Sequence, residues 1–452
     1  MSPTRHGTAA ILALALVLSW PTVLQSQTPD LGSCVACHEA LADARLSDPV
    51  KSFREDVHSA KGFGCVACHG GDASVAGMEA MDPAKGYVGK PRRQQIPRLC
   101  GRCHSDAEFM KQYNPALRVD QEAEYATSVH GGRLARFDDP RVATCVSCHR
   151  AHATRPPSDP QASVHPLNVA KTCGACHASP SQMASYGIPT DQLAKYESSV
   201  HWAALSERHD LSAPTCNDCH GNHGAAPPGV SWVGNTCGQC HSVQADNFAK
   251  SKHAEVFPLM GVPGCVGCHN NHDIHPTRDE MLGLGPEAVC STCHEAGTPA
   301  GDQVAVMRQL IDSLRTELDS ARAILNQAEQ SGVEVSQAQF DLEGAHNALI
   351  STRAAVHTFD LQSVAAEIEG GRKITTEALS RGRRALGELR FRRTGLAVFA
   401  LVIVGLIAAL ILRIRWLEGP GMRYVMFTLE RPALRPRGPK RDHDPEETNR
   451  DD

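Results

Sequence analysis

Thr144-Cys145-Val-Ser-Cys148-His149-Arg-Ala-His152 carries the pattern that decides the fold of this chain. Its core is C-x-x-C-H, and that core recurs nine times. The cysteine pairs are Cys34 and Cys37, Cys65 and Cys68, Cys100 and Cys103, Cys145 and Cys148, Cys173 and Cys176, Cys216 and Cys219, Cys237 and Cys240, Cys265 and Cys268, and Cys290 and Cys293. The histidines that close them are His38, His69, His104, His149, His177, His220, His241, His269 and His294. All 18 cysteines are used, so none is left for a disulfide or an isolated reactive thiol.

C-x-x-C-H reads as c-type haem attachment. Two thiols add across the two vinyl groups of one haem, and the next histidine lies under the iron. Zinc ribbons use C-x-x-C without needing a histidine after each pair. Thioredoxin-like centres use the pair once. The nine motifs lie between Cys34 and His294, one per about 29 residues, far below the size of an ordinary domain. Such a segment has no room for a conventional side-chain core, so the porphyrins must fill it. An aromatic content of 5% agrees. The expected fold is mainly α with extensive loop: a haem-packed domain, then a helical hairpin or stalk, then one transmembrane helix.

The haem region repeats. After a lone motif at Cys34, four two-haem modules follow. Three align through Ser128-Val-His130, Ser199-Val-His201 and Ser251-Lys-His253, each followed by C-x-x-C-H-x-x-H ending at His152, His223 and His272. The first module is degenerate: it has His58 upstream, but Asp72 replaces the extra histidine. Histidines outside the motifs are candidate sixth ligands: His58, His130, His152, His165, His201, His223, His253, His272 and His275, with His209 weaker because it has no counterpart in other modules. Two imidazoles per iron make a low-potential carrier, whereas methionine would raise the potential. Met78, Met110, Met183 and Met260 keep no fixed offset from the motifs and read as packing. By sequence neighbourhood, the motifs at Cys34 and Cys100 lack a ligand.

The two ends of the chain carry other signals. Arg5 and His6, then the apolar run Ala9 to Trp20, predict a signal peptide over 1–26. The haem domain spans 27–298. Beyond it, Met307, Ile311, Leu314, Leu318, Ala321, Leu325 and Ala328 form a heptad stripe, and a second stripe runs Ala338, Leu342, Ala345, Leu349, Thr352, Val356. These predict a coiled-coil hairpin and stalk over 299–394. His346 and His357 read as ordinary helix residues there, with His357 beside a turn and within reach of a haem. The apolar run 395–412 suits a transmembrane helix. Haem is attached on the exported face, which places 27–394 outside and a disordered tail, 413–452, in the cytoplasm.

On its S-x-H and C-x-x-C-H-x-x-H repeats, the region from 34 to 294 resembles the multihaem cytochrome c superfamily, in particular class III low-potential cytochromes and NapC/NirT-type cytochromes. That resemblance implies nine covalently attached haems c and electron transfer on the periplasmic face of the membrane, between a membrane donor and a periplasmic or extracellular acceptor. It implies redox partner proteins, either a quinol-oxidising donor or a terminal reductase; a separate, structural reading has the C-terminal helices mediate assembly as one subunit of a respiratory complex. The anchor departs from the NapC/NirT pattern, whose membrane helix is N-terminal, so direct quinol oxidation does not carry over. The alternative is a multihaem reductase or oxidase of small nitrogen or sulfur compounds with one open haem. No C-x-x-C-K motif, used by some such enzymes, occurs. A net charge of -5 gives no basic excess for nucleic acid.

Overall fold

The computed structural model describes residues 32–228 and 233–418. The expected signal peptide and most of the expected tail lie outside the described residues. Described secondary structure is entirely helical, without strands, and the chain divides into two compact units. One ends at Leu310 and takes back Thr352–Ala365; the other holds Ile311–Ser351 and the residues from Ala366 onward.

The first unit carries every C-x-x-C-H motif on short helices and loops. Its most regular feature is a short helix that begins with each upstream histidine. These helices are α1 (Val57–Ala60), α2 (Val129–Phe137), α3 (Val200–Ser206) and α4 (Lys252–Met260). Each is preceded by a capping residue in extended conformation: Asp56, Ser128, Ser199 and Ser251. The side-chain oxygen of each accepts from a first-turn amide: His58, Gly131, Trp202 and Ala254 respectively. Such caps satisfy amides that lack an intrahelical partner. All four caps are buried, at 2% exposure each, so the histidine is set two residues into a helix whose start is fixed.

A second recurring device joins one module to the next. The first amide of α1, from Val57, donates to Thr154 O at 2.8 Å. In α2, Val129 N donates to Ala225 O at 3.0 Å, and in α3, Val200 N donates to Ile274 O at 2.9 Å. Thr154, Ala225 and Ile274 each stand two residues beyond the extra histidine of the following module. Apolar packing in this unit is sparse. One cluster joins Ala204, Leu205 and Ala213, with Leu167 and Trp202 against it.

The second unit is built by α5 (Pro299–Gln330), α6 (Ser336–Ala355) and α7 (Leu361–Leu417), within its own bounds. Ile311, Leu314, Leu318, Ala321, Leu325 and Ala328 are buried, as are Ala338, Leu342, Ala345 and Leu349. The heptad stripes are therefore the packed faces. The third helix is part of the bundle rather than a free stalk. Glu317 accepts from Arg372 Nε and Thr375 Oγ1, both at 3.1 Å, and Arg381 pairs with Asp341 at 2.9 Å. Gly371 lets α7 approach closely, since a Cβ there would lie 2.9 Å from Leu314 Cδ2 and 3.1 Å from Ala348 Cβ. Helix α7 then continues into the apolar run, which is exposed and long enough to cross a membrane.

Leu325 is fully buried. Leu325→Ala is expected to destabilise the bundle by about 2–5 kcal/mol, the range for buried leucine truncation, measured by denaturant unfolding of the full chain under circular dichroism.

Candidate haem centres

Eight motif histidines each face one second histidine across a gap of nearly constant width. Ring centres lie 5.8 Å apart for His69 and His152, 6.1 Å for His149 and His223, and 6.0 Å for His220 and His272. The separations are 6.0 Å for His104 and His58, 6.1 Å for His177 and His130, 6.4 Å for His241 and His201, and 5.9 Å for His294 and His253. His269 faces His357 at 6.1 Å. A metal–imidazole bond of about 2 Å on each side of one iron sets ring centres roughly 6 Å apart. The residues therefore fit haem iron held between two imidazoles. No three described cysteines, histidines or carboxylates converge as a zinc site would require.

The pairs fall into two series. Motifs that open a module, at Cys65, Cys145, Cys216 and Cys265, have nearly parallel rings, at 13°, 11°, 9° and 25°. Motifs that close a module, at Cys100, Cys173, Cys237 and Cys290, have steeper angles of 87°, 61°, 33° and 88°. The source of the second ring differs too. Closing motifs take it from their own module's upstream helix. Opening motifs take it from the next module: His152 reaches back to His69, His223 to His149, and His272 to His220. Cys100, without a ligand by sequence neighbourhood, thus receives His58.

Sulfurs of successive motifs neighbour one another in chain order. Cys34 and Cys65, Cys100 and Cys145, Cys173 and Cys216, and Cys237 and Cys265 lie side by side. Within modules, Cys68 and Cys100, Cys148 and Cys176, Cys219 and Cys240, and Cys268 and Cys290 are near enough to feel one another electrostatically. No cysteine lies in a disulfide, which leaves every sulfur for a thioether. Cys34 occupies the place of a closing motif, since it meets Cys65 as Cys100 meets Cys145.

Other predicted ligands lie elsewhere. His165 is buried, but its Nδ1 accepts from Leu167 N at 3.3 Å and caps the helix Pro166–His177. His275 and His209 are exposed. Among the described residues, none of these three, nor His346, is brought against a motif histidine, and His38 has no second imidazole against it. Asp72 lies in a surface turn with Ser74 and Lys85, which hold its carboxyl down to about 2, the Ser74 hydroxyl foremost. The residue that sequence reasoning underrated is His357. Its signal was arithmetic: the last opening motif has no later module to borrow from.

Local bonding orients the rings. Peptide oxygens only accept, so His69 Nδ1 donates to Gly89 O at 2.8 Å, His220 Nδ1 to Ala226 O at 3.2 Å, and His357 Nδ1 to Ala354 O at 3.1 Å. Nε2 is left free to ligate. His58 Nδ1 meets Asp56 Oδ1 at 2.8 Å, and Asp56 Oδ2 accepts from Thr154 N at 2.7 Å. Burial alone would raise the Asp56 carboxyl, but these bonds hold it below its ordinary value. Burial pushes His104, His130, His149, His152, His177, His201, His223, His253, His269, His272 and His357 below the usual imidazole value. Neutral imidazole is the ligating form.

Attachment motifs, paired imidazoles and sulfurs in chain order together define a multihaem c-type cytochrome, with haem c as its cofactor. Known proteins agree. The cytochrome c3 family matches residues 208–295. The C-type polyheme cytochrome OmcB of Geobacter sulfurreducens is 24% identical over 302 residues, covering 61% of this chain and 34% of that protein. OmcC of the same organism is 24% identical over 223 residues, covering 42% and 26%. The chain thus spans about a third of the length of the curated relatives it matches. No solved structure matches.

Asp56 both caps α1 and orients His58, whereas serine in the other modules only caps. Asp56→Ala is expected to cost about 1 kcal/mol, as for a lost cap. Asp56→Ser should recover that stability, yet still raise the potential of one haem, because His58 loses an anionic partner that strengthens it as a ligand. Denaturant unfolding and potentiometric titration check the two effects separately.

Proposed function

We propose that the chain holds nine haems c and passes electrons along them in chain order, between a membrane donor and a periplasmic or extracellular acceptor. The observation that carries this reading is the row of imidazole pairs, set on motifs that neighbour one another in chain order from Cys34 to Cys290. Electron transfer falls steeply with distance between conjugated rings, so haems anchored on neighbouring motifs would form a continuous path. In seven sites both proposed axial ligands come from the C-x-x-C-H repeats and their flanking histidines. Two imidazoles leave iron no open position and favour low potential.

The proposed organisation is a signal peptide over 1–26, the haem domain over 27–298, the helices over 299–394, the anchor over 395–412 and a cytoplasmic tail. Two features support it: the exposed apolar end of α7, and the need for haem attachment on the exported face. Redox proteins and the membrane are the partners this implies, in a respiratory complex. The names of the relatives, polyheme cytochromes, agree with such a carrier.

One observation favours a second reading. His38 alone among the motif histidines has no second imidazole against it in the described residues. The Cys34 haem is then the place for a small nitrogen or sulfur compound to react, and the remaining haems would feed or drain it.

Intact mass and a pyridine haemochrome assay should give nine haems per chain; fewer would sink the count. Low-temperature EPR of the oxidised protein should separate two low-spin groups. Parallel imidazole planes split the iron orbitals strongly and steep ones weakly, giving rhombic and highly anisotropic signals respectively. The carrier reading expects no high-spin haem. One equivalent of high-spin haem, altered by nitrite or cyanide, favours the second.

A further inference from the structure

We propose that His357, in the turn between α6 and α7, is the distal ligand of the haem carried by Cys265 and Cys268. The inference rests on the reading of the motifs as haem sites and adds to it a ligand outside every repeat.

Three observations carry it. The first is spacing. His357 and His269 stand 6.1 Å apart at 25°, in series with the nearly parallel pairs of the other opening motifs. The second is ring orientation. Nδ1 of His357 is committed to Ala354 O, as Nδ1 of His69 and His220 is to Gly89 O and Ala226 O, which leaves Nε2 as the ligating atom. The third is register. Each earlier opening motif takes its second ring from the next module, and no further C-x-x-C-H follows Cys290. The fourth opening motif therefore needs a substitute for the missing histidine, and His357 stands where that histidine would.

The turn is fastened accordingly. Thr352–Ala365 belongs to the haem-bearing unit, although the helices on either side belong to the other. Arg353 makes a two-pronged ion pair with the buried Asp279, at 2.8 and 2.9 Å. Asn247 Nδ2 donates to Ala354 O at 3.0 Å, and Gln303 Nε2 to Phe359 O at 2.8 Å. The ring of Phe359 lies 4.1 Å from that of His253, the second ring of the neighbouring Cys290 site. These contacts hold a backbone turn that includes a left-handed residue, Phe359, at φ +49°. They give the turn a task beyond connecting two helices.

The test uses the full chain loaded with haem. His357→Ala should convert one haem equivalent from low to high spin in low-temperature EPR, with the haem count by mass unchanged and the low-spin signal restored by added imidazole. His357→Met should keep that haem low-spin and raise its potential. His346→Ala, on the same helical region but away from any motif histidine, should change neither. An unchanged low-spin count in His357→Ala overturns the proposal. If His357→Ala does not accumulate, unchanged potentials for every haem in His357→Met overturn it. A wild-type chain lacking covalent haem would instead overturn the haem reading itself, and the two failures are distinguished by the mass of the unmutated protein.

Discussion

On the proposed haem reading each iron takes an imidazole on both faces of its porphyrin, and roughly 29 residues per motif are few to wrap both faces. Everything else about the haem-bearing unit follows from that shortage. A module supplies its closing site from its own upstream helix, since the chain between them is long enough to fold over. It cannot supply its opening site in the same way, because C-x-x-C-H and the histidine three residues later are separated by one sharp turn. Residues just after these motifs, Gly70, Arg150, Gly221 and Asn270, all have φ between 56° and 78°. The turn sends the extra histidine away from its own motif and toward the preceding module.

Much of this was legible in the sequence, and the illegible part has a definite cause. The motifs, the repeats and the heptad stripes are local patterns, and the helices and buried rows stand where those patterns put them. Ligand pairing is not local. Sequence neighbourhood left Cys34 and Cys100 without a candidate, whereas the facing rings of the opening motifs pair backward by one module. His165 recurs with His275 as a His-Pro dipeptide, a recurrence that looks like ligation. In the structure His165 caps a helix that starts at that proline, and His275 is exposed. Asp72 looked like a lost ligand. The preceding motif, Cys34, is of the closing kind, so position 72 has no opening motif behind it to reach.

The two units obtain order by different means. From Ile311 onward, side chains do the packing: a row of Leu, Ile and Ala buried among three helices, a glycine for close approach and ion pairs at the margins. In the haem-bearing unit buried apolar side chains are few, and much of the fixed structure is polar. Buried caps hold the histidine helices, and single backbone bonds tie them to the next module's loop. Such bonds contribute about 1 kcal/mol each, too little to order the chain by themselves. The haems must supply the remaining burial, which makes folding and cofactor attachment interdependent, as in small metal-organised domains.

The backbone ties from the first three histidine helices to the loops of the following modules have a consequence for how such a chain grows. The unit of ligation is offset from the unit of repetition, so a whole module added in the middle would find a donor ahead of it and a recipient behind it. Only the two ends are left with loose accounts. At the front, an aspartate, Asp72, stands where the other modules carry the extra histidine. At the back, on the proposed ligation, the His357 turn would close the series, much as an atypical terminal repeat closes a solenoid. Modules would then be added in steps of two haems.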